Sequence, residues 1–148
     1  MESGLTPGAR KWIDIPNDPA DISGGYLLEF DWNTRYDEEL CGFVAHTGQP
    51  VVIKSPEHAT QAEVNYIADL VDPGLEAVHS STGYNVAGKH YSEYFDMDSL
   101  VAMYILQELG MNHDTGVSSL FFYKSEDMHP RCALTSPSAR TTSWRWPS

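Results

Sequence analysis

The segment that most limits the fold lies late in the chain. Leu100, Val101, Tyr104, Ile105 and Leu109 cover more than half of a helix circumference after an Asp96 or Asp98 cap. Such a helix needs cover on most sides, so it is expected to run buried through a core. Gly110 is placed as its C-terminal stop. A short polar loop follows, Met111-Asn-His-Asp-Thr-Gly116. The apolar run Ser119-Leu-Phe-Phe-Tyr-Lys124 then reads as a strand.

The elements upstream are of both kinds. Tyr26-Leu-Leu-Glu-Phe-Asp-Trp32 alternates loosely and reads as a strand, followed by a loop through Tyr36-Asp-Glu-Glu39. Cys41–Ala45 and Val51–Ile53 read as short strands joined through Gly48 and Pro50. Helical territory opens at Ser55-Pro56-Glu57, and Thr60 with Glu63 has the spacing of a capping box. Val64, Ile67, Val71, Leu75 and Val78 then form one helix face. Pro73 interrupts that face, which predicts a kink or two helices meeting there. Ser80–His90 reads as a loop. The order predicts an α+β domain.

Charge divides the chain unevenly. Residues 1–127 hold all 21 acids and six of the nine Lys and Arg. Residues 128–148 hold three arginines, no acid, and ten Ser, Thr or Pro. The first part reads as a domain, the second as an unstructured or frame-shifted tail. A net charge of −12 disfavours nucleic-acid or anionic-membrane binding, since both need a basic patch. A basic protein partner or a metal ion remains open. The longest apolar run, Leu100–Leu106, has seven residues, far short of the ~20 of a membrane helix. No apolar h-region follows Met1, so no signal peptide is expected. Cys41 and Cys132 make neither a disulfide framework nor a zinc site, and read as one small buried thiol and one incidental one. The six histidines show no metal-binding spacing.

Three segments together resemble the spore-coat protein CotH kinase family. Asp21-Ile-Ser-Gly-Gly-Tyr-Leu-Leu-Glu-Phe-Asp31 is similar to its GGYLLE-type strand. Val52-Ile-Lys-Ser-Pro-Glu57 is similar to its "iksPe" entry into a helix. Residues 94–114, from Tyr94-Phe-Asp-Met-Asp-Ser to Met-Asn-His-Asp114, together with Ser119–Lys124, resemble its helix–loop–strand block.

The resemblance implies an atypical protein-kinase-like fold, using ATP and Mg2+, that phosphorylates protein serines. It places Asp114 at the carboxylate that accepts the substrate hydroxyl proton. Without the resemblance, Asp114 reads as a residue that bends the loop or caps its amides, since Asp in a loop after a helix is common. Asn112 either builds the loop through side-chain hydrogen bonds or accepts a left-handed backbone after Gly110. Glu108 either pairs inward or faces solvent. Lys54 precedes the Ser55-Pro56 turn and reads as structural. Glu29 lies on a strand, so the kinase pairing of a strand Lys with a helix Glu is not carried onto it. Asp96 and Asp98 read as capping residues rather than a metal pair.

In the family a GPxWDFD-type run follows the strand and supplies the metal ligand. Here Pro130-Arg-Cys132 to Trp144-Arg-Trp146 stands there, with no acid after Asp127. First-lobe nucleotide strands are also expected before Gly24, where the chain has little room. The sequence therefore predicts a partial domain over 1–127 that is inactive as it stands and binds no ATP or Mg2+. The coinciding breaks in charge and pattern suggest a shifted reading frame near codons 125–128; translating the other two frames tests this. The alternatives are a pseudokinase-like or spore-coat assembly protein binding a basic partner, and a carbohydrate-associated domain using Tyr26, Trp32 and Tyr36.

Overall fold

The computed structural model describes residues 5–14, 22, 25–31, 33–109, 120–124 and 133–135. They form a six-stranded sheet with three α-helices. The strands are β1 (Arg10–Lys11), β2 (Tyr26–Phe30), β3 (Gly42–Val44), β4 (Pro50–Ser55), β5 (Leu120–Lys124) and β6 (Ala133–Thr135). Their order across the sheet is β1-β3-β4-β2-β5-β6, and every pairing is antiparallel. The α+β class expected from the sequence is what is found.

Strand geometry sends alternate side chains to opposite faces. On one face Tyr26, Leu28, Val51, Ile53 and Phe122 meet Val64, Ile67, Val71 and Leu75 of α2 (Gln61–His79) in the main core. On the other, Val44 and Val52 pack with Tyr36 of α1 (Asn33–Glu38). The segment Tyr36–Glu39, expected as loop, is thus helical through Glu38. Tyr36 is buried against the sheet, and that packing outweighs the weak helix propensity of so short a run.

The Thr60–Glu63 capping box forms. Thr60 N–H donates to Glu63 Oε2 at 2.8 Å, and Glu63 N–H donates to Thr60 Oγ1 at 3.4 Å. The cap contributes about 1 kcal/mol. Each fully buried aliphatic on the α2 face contributes roughly 1.5–3 kcal/mol. Packing therefore holds α2 in place, and the cap sets where it starts. The face runs out at Val78, which is exposed.

Pro73 lies inside this one continuous helix, so there is no pair of helices meeting there. Proline removes one amide donor, which leaves the Asp69 carbonyl without its helical partner. Asn85 Nδ2 reaches the Pro73 carbonyl at 3.3 Å and the Tyr94 hydroxyl at 2.9 Å, fastening the following loop to the helix. At Gly74 a Cβ would lie 2.8 Å from Tyr94 Cβ and 2.9 Å from Phe95 Cε2. The glycine is what lets Phe95 close the core.

The last helix, α3 (Met97–Leu109), corrects the opening expectation. Asp96 caps it, accepting from Ser99 N–H at 3.0 Å. However, Val101, Tyr104, Ile105 and Leu109 are 49, 64, 51 and 80% exposed. An apolar circumference states what a helix can bury, and the elements around α3 cover little of it. No helix among the described residues is long and apolar enough to cross a membrane. In the segment 128–148, the described residues Ala133–Thr135 extend the sheet as a strand on β5.

Candidate functional site

Two neighbouring strands and one short helix converge on Lys54. Glu29 of β2 stands opposite Val52 of β4, so Lys54, two residues on, is its diagonal neighbour on the same face. Lys54 Nζ lies 3.4 Å from Glu29 Oε2 and also donates to Glu39 Oε1. The Glu29 side chain is 5% exposed, that of Lys54 25% and that of Glu39 35%. Burial alone would lower the lysine pKa. The hydrogen bond to Glu39 and the charges of both carboxylates outweigh it, and the ammonium is held above its ordinary value.

Glu39 owes its place to Lys11. The Lys11 ammonium donates to the Tyr36 carbonyl at 2.5 Å and reaches the Glu39 carbonyl at 3.5 Å. It also lies 4.2 Å from the centroid of the Tyr36 ring. A cation there meets the negative end of α1 and fixes the residue that follows the helix. Beside Lys54 lies a hollow of about 340 Å3, lined by Glu39, Leu40, Ile53, Lys54 and Glu57.

A second cleft, of about 370 Å3, opens between α2 and the strands at Arg10, His46, Asp69, Asp72, Pro73 and Glu76. Arg10 is committed there to Asn65 and Asp69, each at 2.7 Å. Asp72 takes the imidazole of His46.

Asn112, Asp114 and their loop lie outside the described residues, as do Trp32 and Cys132. Glu108 is exposed on α3, Asp98 sits in its first turn, and Cys41 is a buried free thiol. Tyr26 and Tyr36 are each 2% exposed, so neither presents a ring to a sugar. The sequence named no lysine as a partner for Glu29; in the structure it pairs with Lys54 of the neighbouring strand. A diagonal pair depends on register. No local spacing signals it when the partners are 25 residues apart, as Lys54 and Glu29 are.

The Lys54 ammonium stands between the Glu29 and Glu39 carboxylates at the edge of the first hollow. Among the described residues no three His, Cys, Asp or Glu side chains gather in a group that could hold a metal ion. Compared with family models, with curated proteins and with solved structures, the chain matches none.

Proposed function

We propose that the chain is part of a CotH-type kinase domain, from a family that transfers phosphate from ATP to protein serines, and that it is inactive alone. The observation that carries this is Lys54. Protein kinases hold nucleotide phosphates with a strand lysine braced by a glutamate. Here a strand lysine is braced by the buried Glu29, at the edge of a hollow and just before the helix α2. The brace comes from a strand rather than a helix, which is a departure from the usual kinase arrangement. Asp114 would be the base, on the strength of the motif around it. Residues 128–148 offer no carboxylate for Mg2+.

The test is ATP protection of Lys54 against a lysine-acylating reagent, read by mass spectrometry, alongside transfer of labelled phosphate to a Ser-rich protein. Weak protection without transfer is expected of the unsubstituted chain, and stronger protection when Glu39, which also holds the ammonium, is replaced by Gln. Absence of protection in both at millimolar ATP would remove the nucleotide reading. Transfer abolished by Asp114→Ala would show the chain to be active as it stands.

A second reading is favoured by the second cleft. Glu76 and the exposed Asp69, which also pairs with Arg10, share one face of α2 there, and a non-catalytic module could use them to hold a basic partner.

A further inference from the structure

Lys54 has one carboxylate more than a phosphate-binding lysine needs. The two differ in kind. Glu29 is almost wholly buried on the central strand, and it sits behind the lysine as a fixed counter-charge. Glu39 is about one-third exposed, follows a helix of six residues, and lines the hollow itself. Its carboxylate takes the open side of the ammonium, where an anionic ligand would bind. Glu57 on the same wall adds a further negative charge. Glu39 and Glu57 line the hollow beside Lys54, so a polyphosphate entering it meets two carboxylates on its walls.

We propose that Glu39 is a latch on the Lys54 site. Resting on the kinase reading above, the hollow is closed to nucleotide phosphates while Glu39 holds the ammonium, and it opens when the segment after α1 swings away. Lys11 keeps the latch shut, because its ammonium fixes the Tyr36 and Glu39 carbonyls and so sets the direction of the Glu39 side chain. Glu39 can leave cheaply, because its carboxylate is partly exposed and reaches water at once, whereas Glu29 is held inside the sheet. The latch thus works on the exposed partner and leaves the buried one in place. A partner that draws Glu39 or Lys11 away, for example by offering Glu39 another cation, would unlock the site.

The experiment measures binding of Mg2+-free ATP, and separately of inorganic tripolyphosphate, to the full chain by calorimetry. Glu39→Gln keeps the shape of the side chain and removes its charge, and it should tighten both ligands at least tenfold over the unsubstituted chain. Lys11→Met should tighten them in the same direction by a smaller factor. A Glu29→Gln/Lys54→Met double variant, which removes the lysine together with its buried counter-charge, should abolish the gain when combined with Glu39→Gln. Equal binding by the unsubstituted chain and Glu39→Gln, lost in the double variant, would overturn the latch and leave the phosphate-binding lysine standing. No binding by any variant, with circular dichroism showing each folded, would overturn both.

Discussion

The carboxylate of Asp72, in the middle of α2, accepts two hydrogen bonds from a single residue, His46. One comes from its backbone N–H at 2.9 Å, the other from Nδ1 of its ring. An ionised carboxylate only accepts, so the imidazole tautomer that fits this contact is the one with its proton on Nδ1. The pair ties the turn between β3 and β4 to the helix beside Pro73. The Asp72 side chain is 10% exposed, so its loss would leave His46 N–H without an acceptor inside the fold. Asp72→Ala should cost about 1–3 kcal/mol. His46→Ala, which keeps the backbone bond, should cost less. Urea unfolding of the two variants measures the difference.

Tyr36 gives a pH-dependent prediction. Its hydroxyl is buried and has no hydrogen-bond partner among the described residues. Burial, with a smaller contribution from Asp37, pushes its pKa up to about 12 from 10.0. Between those values the unfolded chain has released the proton and the folded one keeps it. Stability contributed by Tyr36 is therefore complete below pH 10 and lost as pH rises towards 12. The slope is at most about 1.4 kcal/mol per pH unit. Tyr36→Phe should remove that slope and leave stability at neutral pH unchanged or slightly raised, because an unsatisfied polar group is removed. Chemical denaturation at several pH values reads both effects.

At Gly42 the limit is backbone rather than side chain. A Cβ there would sit 2.5 Å from the Val51 carbonyl oxygen and 2.9 Å from Tyr36 Cε2. Gly42→Ala must therefore push β3 away from β4 or displace Tyr36, at a cost of about 1–3 kcal/mol, as overpacking does elsewhere. Gly74→Ala should cost a similar amount through Tyr94 and Phe95. Loss of the main-core signals of Phe95 in a methyl–aromatic NMR spectrum would locate the second effect.

The α3 surface makes the opposite prediction. Tyr104→Lys and Leu109→Lys replace groups that are 64 and 80% exposed, and should change stability by no more than about 0.5 kcal/mol. Both should raise solubility by breaking up an apolar surface. A large loss of stability in either would show that the helix is covered in solution.

The strands were legible from the sequence because their alternation is local. β2, β4 and β5 fall where Tyr26–Phe30, Val51–Ile53 and Leu120–Lys124 alternate or run apolar. The Thr60–Glu63 cap was legible for the same reason: both partners lie within one turn. β1 carries only two residues, Arg10 and Lys11, and neither shows a strand pattern, so nothing in its own composition marks it. Helix α1 was missed because its burial depends on a single residue, Tyr36, meeting Val44 and Val52 from later strands. The surroundings of α3 could not be read from its pattern, since periodicity describes the helix and says nothing of its neighbours. The Lys54 cluster escaped for the reason the register gives, whereas Asp114 rests on motif resemblance alone.

The placement of β2 has a consequence for how the polypeptide assembles as it is made. This strand is hydrogen-bonded on one side to β4, nearby in the chain, and on the other to β5, with Tyr26 opposite Lys124 across most of the sequence. Closing so long a loop is entropically slow compared with the β3–β4 hairpin and the β4–α2 contact. On a ribosome, β1 to β4 and α2 can consolidate while one edge of β2 waits for residues 120–124 to emerge. The nascent protein therefore passes through a stage with an open, adhesive sheet margin. The speed of translation through α3 sets how long that margin stays exposed.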